Sequence, residues 1–344
     1  MKIALVNTVT PFVRGGAEIL VDDLYEQLRE RGHQVTLFRL PFPNNYAVVL
    51  IELVLSAKLM DFSSYDKVIA FKFPAYCVYH RHKTLWMFHQ FRQVYDLFGN
   101  KDGLPDTVAT RAMKEIVTQI DNDEIGNAER VYVNADEVRK RLAHYNGITS
   151  EILTPPLLNA EQYHFEKTGD YIYYPSRVTS LKRQHLAIEA MRYVKTDAKL
   201  IVAGRCVSEE YENRLRGIIK EYKLQNRVFY ENKWVEDDEK IKMLSNCLAV
   251  LYIPYLEDSC GFVSFEAFCS GKPVISCVDS GGTKEVIRDE FNGFMVEPTP
   301  QALAERIDYL FANRETAKRM GENAQKWFVE SNISWDRTVE KLLI

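Results

Sequence analysis

At 344 residues the chain is longer than one hydrophobic core of ordinary size organises, so two domains are expected. Its 44 basic and 48 acidic residues leave a net charge of −4, and neither half carries a basic excess, which excludes a nucleic-acid partner. The six cysteines (Cys77, Cys206, Cys247, Cys260, Cys269, Cys277) form no Cys-x-x-Cys pair and no zinc-like spacing with histidine. Met1 runs directly into the apolar residues 3–6 without a signal-peptide pattern, so free thiols in a cytoplasmic protein are expected.

In chain order, the first half opens with a strand at 2–7, a turn through Gly15-Gly16, and a helix whose Ile19, Leu20, Leu24 and Leu28 share one face. Gly32 ends that helix and 34–39 reads as the next strand. The apolar segment 46–57 carries Glu52 and is too short to span a bilayer. It reads as a buried helix, with a helix touching a membrane surface as the alternative. Further short apolar runs at 66–71, 84–89 and 130–134 are separated by polar stretches. The basic cluster Arg139, Lys140 and Arg141 reads as a solvated helix face, with an anchor for phosphate or an anionic membrane as the alternative.

From 154 to 170 the pattern breaks into Pro, Asn, Gly and charged residues, which marks a linker. It then restarts with strands at 171–175, 199–203, 228–231, 249–253 and 273–276. Helices at 185–193, 209–222, 237–245 and 263–270 fall between them, and 315–344 is mostly helical with a break near 332–335. Strands that are continuous apolar runs, alternating with helices, imply parallel sheets covered on both faces. Two such domains facing each other form a cleft at the carboxyl ends of their strands, where ligands of these folds bind.

The most informative stretch runs from Glu257 to Val274. An apolar strand ends at Pro254, a short loop follows, and a helix starts near Phe262, whose free N–H groups favour a phosphate or sugar oxygen. Asp258 lies in the loop and Glu266 about two turns into the helix, so each carboxylate could take a pair of vicinal hydroxyls. This stretch resembles the signature of the family 4 retaining glycosyltransferases: a carboxylate, seven residues, a Glu, then Ala and a Gly-x-Pro-Val turn. The likeness continues through 280–287 and 292–296, and upstream through Ser176-Arg177, Lys182 and Ala203-Gly204-Arg205. It includes the glycine-rich loop Arg14-Gly15-Gly16-Ala17-Glu18 near the start of the chain.

The resemblance implies an α/β fold of GT-B type, with two Rossmann-like doubly wound domains across a cleft. It sets a first, acceptor-binding domain over 1–160, a nucleotide-sugar-binding domain over 166–325, and a C-terminal helix over 326–344 returning to the first domain. The implied activity is metal-independent, retaining transfer of a sugar from a UDP- or GDP-linked donor to a glycan, lipid-linked or small-molecule acceptor, with no cofactor. The implied location is the cytoplasm, with peripheral contact at the inner face of a membrane. Glu266 would bind the donor ribose. Asp258 would reach the transferred sugar with the amides of Gly261, Phe262 and Val263. Arg177 and Lys182 would hold the diphosphate, since two cations and a helix N-terminus stabilise the charge that develops on the leaving group. Gly15 and Gly16 would let the first-domain loop approach the phosphates. Arg205, Trp234 and Val235 would border the base, and His89 would contact the donor sugar or the acceptor.

Three departures from the family pattern stand out. Asp258 occupies a position that usually carries Glu, with Glu257 one place off, so the sugar sits closer, the loop shifts, or Glu257 substitutes. Ser176 and Arg183 each replace a usual Gly. The Asp121-Asn122-Asp123 triplet resembles a metal motif of another glycosyltransferase fold, but it lies on a helical stretch where two acids at that spacing face apart. Two other classes remain open on the sequence: a GT-B-like enzyme of another reaction, such as an epimerase or phosphorylase, and a non-catalytic nucleotide-sugar-binding subunit. A nicotinamide dehydrogenase is disfavoured, because no Gly-x-Gly-x-x-Gly follows the first strand.

Overall fold

The computed structural model describes residues 1–12, 14–42, 49–100 and 103–344. The chain divides into two units, one of Met1–Pro156 with Ile333–Ile344, the other of Leu157–Asn332.

The first unit contains β1 (Lys2–Val9), α1 (Gly16–Glu30), β2 (Gln34–Pro41), α2 (Leu50–Lys58), β3 (Lys67–Ala70), β4 (Lys83–Met87), α3 (Val108–Gly126), β5 (Arg130–Val133), α4 (Asp136–Asn146) and β6 (Glu151–Ile152). Its six strands pair in parallel in the order β2-β1-β3-β4-β5-β6. Every residue of β3 and β4 is buried, as a sheet covered on both faces requires. On α1 the buried face is Leu20, Val21, Leu24 and Leu28, one helical stripe against the sheet. The Glu18 carboxylate accepts from the Gly15 N–H at 3.0 Å, which satisfies one of the donors left open at the start of α1. At its other end α4 stops at Gly147, whose φ of +66° is a left-handed conformation that glycine adopts without strain.

The segment 46–57 falls partly outside the described residues. Within it, α2 buries Leu50, Val54 and Ala57 and exposes Ile51 and Leu55. No described helix is long and apolar enough to cross a membrane. The basic cluster on α4 is engaged locally: Arg139 and Lys140 pair with Asp136, and Arg141 pairs with Glu137 and Asp96.

The second unit contains β7 (Tyr171–Pro175), α5 (Gln184–Ala190), β8 (Lys199–Ala203), α6 (Glu209–Glu221), β9 (Val228–Glu231), α7 (Asp237–Asn246), β10 (Ala249–Leu251), α8 (Phe262–Cys269), β11 (Val274–Cys277), β12 (Gly293–Val296), α9 (Pro300–Ala312) and α10 (Arg314–Glu330). Its strands also run parallel, in the order β12-β11-β10-β7-β8-β9. Ser208 caps α6 through the Tyr211 N–H, and Thr299 caps α9 ahead of Pro300, so both helices begin where their sequences carry start signals.

After α10 the chain rejoins the first unit as α11 (Trp335–Leu343), which packs against α1. Trp335, Thr338, Val339 and Leu342 form its buried stripe, Arg31 just after α1 pairs with Asp336, and Lys341 meets Glu151 at 2.7 Å. Leu342 is fully buried, so Leu342→Ala is expected to destabilise the first unit by about 2–4 kcal/mol. Urea unfolding followed by tryptophan fluorescence, to which Trp86 and Trp335 of the first unit contribute, would report this, and a change well below 1 kcal/mol would show that α11 contributes little to that unit.

Candidate active site

In the second unit the loops after the strands leave from one edge of the sheet, and glycines lock them together. A Cβ on Gly204 would lie 1.8 Å from the Ser176 carbonyl oxygen, so only glycine lets the turn after β8 lie against the turn after β7. Ser176 N–H donates to Ala203 O, and Val178 N–H donates to Arg205 O. The Cys206 N–H in turn donates to Asn232 Oδ1 at 2.8 Å, tying in the loop after β9 that carries Trp234 and Val235. Arg177, Arg205 and Trp234 are exposed on these three joined loops, and Val235 is half-buried.

The turn before α5 presents Lys182. Thr179 Oγ1 accepts from the Lys182 N–H, and Tyr174 donates its hydroxyl to the Lys182 carbonyl. Arg183 follows at φ +55°, a left-handed conformation that explains the glycine usual at this position. The arginine is held there by its side chain, which donates to both Asp279 oxygens at 2.7 Å and to the carbonyls of Ile253 and Pro254 at 2.7 and 2.9 Å. The Lys182 ammonium pairs with the Glu257 carboxylate and donates to the Tyr252 hydroxyl at 2.8 Å. Burial pushes the Tyr252 hydroxyl well above the ordinary tyrosine range, so it stays neutral beside the lysine.

The loop after β10 is braced from two sides. A Cβ on Gly281 would fall 2.2 Å from the Glu257 carbonyl oxygen, and the Gly282 N–H donates to that same oxygen at 2.9 Å. Asp258 is half-buried between Glu257 and Ser259. Gly261, at φ +73°, opens α8, and a Cβ there would lie 2.3 Å from the Tyr252 ring. Phe262 and Val263 form the first turn of that helix, and both are half-buried.

Glu266 sits on α8 at 6% exposure. Its Oε1 accepts from Lys240 Nζ of α7 at 2.7 Å and from the Tyr163 hydroxyl at 3.3 Å. Burial alone would lower the Lys240 ammonium, but the Glu266 carboxylate raises it above the ordinary lysine range. Arg177, Lys182, Arg205 and the start of α8 therefore gather at one edge of a single unit. Lys240, Tyr163 and Tyr252 carry no signal in the sequence: Lys240 lies 26 positions from Glu266 on another helix, and no spacing rule links them.

In the first unit, Gly15 is buried and Gly16 exposed at the start of α1, and Glu18 accepts from Lys72 Nζ at 2.9 Å. His89 lies two residues past β4, half-buried, with Nδ1 2.6 Å from the Gln90 carbonyl.

Asp121 has a different part from a metal ligand. It is fully buried, and its two oxygens accept from the Tyr76 and Tyr95 hydroxyls at 2.6 and 2.7 Å. No cluster of three or more potential metal-ligating side chains occurs among the described residues. Burial raises the Asp121 carboxyl to about 7, against the lowering by its two tyrosine hydrogen bonds. A carboxyl raised on folding contributes stability that is complete below the ordinary value and lost as the pH climbs to about 7. Asp121→Asn is therefore expected to flatten the fall in stability between about pH 4 and 7. Chemical denaturation across that range checks this, and an unchanged slope would assign the pH dependence elsewhere.

The sequence of residues 158–327 matches the family described as Glycosyl transferases group 1. An alpha-1,3/1,6-mannosyltransferase of Dictyostelium discoideum is 31% identical over 117 residues, 34% of this chain and 27% of that protein. The O-antigen chain mannosyltransferase C of Escherichia coli is 28% identical over 152 residues, 43% of this chain and 39% of that protein. The chain thus spans about a quarter to two-fifths of the length of these curated relatives. Among solved structures, sucrose-phosphate synthase of Thermosynechococcus elongatus superposes with a TM-score of 0.81 at 17% identity, covering 99% of this chain and 97% of the other. The HepE protein of Anabaena, solved with UDP-glucose, gives 0.76 at 16% identity, covering 100% and 98%. These likenesses extend over both units and show a two-domain α/β fold of GT-B type.

Proposed function

Because residues 158–327 match the group 1 glycosyl transferases, we propose that the chain transfers a sugar from a nucleoside diphosphate to an acceptor hydroxyl in glycan or glycoconjugate synthesis. The observation that carries this reading is the convergence of Arg177, Lys182, the start of α8 and the buried Glu266 at one sheet edge inside the matched segment. HepE was solved with UDP-glucose and the Escherichia coli relative is named a mannosyltransferase, so UDP- and GDP-linked hexoses are the donors to try first.

In this reading Glu266 accepts from the ribose hydroxyls. Arg177 and Lys182 meet the diphosphate, which displaces Glu257 from Lys182 because it carries more than one negative charge against the carboxylate's one. The amides of Gly261, Phe262 and Val263, with Asp258, face the transferred sugar, and the Gly261 N–H exchanges its bond to Ser259 Oγ for one to the sugar. Trp234 offers an exposed ring, 47% accessible, on which a base can stack, with Val235 and Arg205 beside it. The parts of Gly15, Gly16 and His89 rest on the family resemblance alone. We assign contact with a membrane surface to the exposed Ile51 and Leu55 of α2.

The chemistry follows from charge. As the anomeric bond breaks, negative charge grows on the leaving diphosphate, and fixed cations with a helix N-terminus stabilise it where it develops. Such a site works without a divalent metal. Retention follows if the leaving phosphate takes the acceptor proton on the same face, since both proposed carboxylates hold donor hydroxyls and neither serves as base on the opposite face.

Glu266→Ala is expected to lower transfer on the order of a hundredfold, by removing a charged acceptor worth roughly 1.5–3 kcal/mol and leaving Lys240 with only the exposed Asp237 as its ion-pair partner. A folded variant with unchanged donor affinity and turnover refutes the ribose assignment. Two further outcomes are expected of the wild type: activity survives excess EDTA, and NMR of the first product from an α-linked donor shows an α-glycoside. Strict dependence on Mg²⁺ or Mn²⁺, or a β-glycoside, overturns the corresponding part of the mechanism.

A further inference from the structure

The way Glu266 is held sets a requirement on its ligand. Lys240 and Tyr163 both donate to Oε1, and Oε2 takes no hydrogen bond from any described residue. The ion pair lies largely out of water, with side-chain exposures of 19% for Lys240 and 8% for Glu266, and Tyr163 is buried. Lys240 also meets Asp237 at 3.1 Å, but Asp237 is 77% exposed and its pull is screened by water. A carboxylate this buried is stable as an ion only with a cation beside it, and a neutral tyrosine donor does not replace one.

We propose that Lys240, assisted by Tyr163, is a positioning residue that fixes Oε1 of Glu266 and leaves Oε2 as the acceptor for the ribose hydroxyls, so that the protein's preference for ribonucleotides over deoxyribonucleotides depends on Lys240. The inference rests on the placement of a nucleoside diphosphate at Glu266 given above. An oxygen has two lone pairs and can accept from both vicinal hydroxyls, but only if the carboxyl group is ionised and does not rotate. Holding Oε1 from two other elements, α7 and the segment before β7, removes that rotation before the ligand arrives and lowers the ordering cost of binding.

The groups that face Glu266 are Lys240 and Asp237 of α7, Tyr163, Tyr173 of β7, Tyr252 after β10, and Cys269 of α8. Burial pushes the three tyrosines up and the Cys269 thiol to about 12, so Lys240 is the one cation among them. Without it, the buried carboxylate is left without its counter-ion and with only the Tyr163 hydroxyl to hold Oε1.

The test is calorimetric binding of UDP, GDP and their 2′-deoxy counterparts to the full chain. The wild type is expected to bind one ribonucleotide and to bind its deoxy form more weakly. Lys240→Met should weaken the ribonucleotide about tenfold or more while changing the deoxy form little, and Lys240→Arg should restore most of the difference. The selective loss of the ribonucleotide and its rescue by arginine are changes that a merely structural role would not produce. Should the methionine variant unfold, Lys240→Gln, which keeps a donor and loses the charge, is expected to show the same trend. A folded Lys240→Met or Lys240→Gln with unchanged ribonucleotide affinity and unchanged ribose preference overturns the inference. Failure of the wild type to bind either UDP or GDP overturns instead the nucleotide placement on which it rests.

Discussion

The arrangement of the second unit depends on a single constraint of its sheet: all six strands run the same way, and the order reverses between β7 and β10. A parallel sheet sends every following loop to the same edge. At the reversal, the connection from β7 departs to one side through α5, and that from β10 departs to the other through α8. The two loops therefore part and leave a crevice between them. Arg177 and Lys182 leave on one side of it, and Glu257, Asp258 and Gly261 on the other. The close contacts at Gly204, Gly261 and Gly281 then remove the freedom that the loops would otherwise have. Without those glycines the same charged residues would be scattered along an edge.

Charge pairing is the second layer of order. Lys182 with Glu257, Arg183 with Asp279 and Lys240 with Glu266 are all ion pairs held largely out of water. Exposed ion pairs contribute about 0–1 kcal/mol, but partly buried ones penalise the loss of either partner, because the remaining charge is left uncompensated. The pairs differ in what a ligand can do to them. Arg183 is committed to backbone carbonyls as well as to Asp279, and is architectural. Lys182 has a carboxylate and a hydroxyl as partners, both of which a diphosphate can outcompete. Glu266 keeps one oxygen for its ligand while the other is tied.

Much of this fold was legible in the sequence because parallel strands buried on both faces write themselves as short continuous apolar runs. The strands at 171–175, 199–203 and 228–231 match β7, β8 and β9 in both bounds. The two-residue β6 was missed, since a strand of that length has no periodicity to read. The final helical stretch also divides less simply than its sequence suggests: the break near 332–335 is where the chain passes from one unit to the other, so α10 belongs with the second unit and only α11 with the first. The loop residues were legible through their fixed spacing along the chain. Lys240, Tyr163 and Tyr252 were not, because they reach the site from other elements through side chains, and that adjacency exists only once the helices pack.

The shorter acid at position 258 can now be considered against its neighbour. Of the three ways to accommodate it, substitution by Glu257 is the most costly. The backbone of Glu257 is clamped by Gly281 and Gly282, and its carboxylate is the counter-ion of Lys182. Turning that carboxylate toward a sugar would strip Lys182 of its partner in the empty protein and bring a negative charge toward the diphosphate in the loaded one. Leu256, two residues upstream of Asp258, holds a left-handed φ of +45°, so the loop already departs from the extended path that would be expected after a strand. In the proposed reaction the sugar-binding carboxylate is accordingly Asp258, reached by a shifted loop or a closer sugar, while Glu257 serves as the group that the donor phosphate displaces from Lys182.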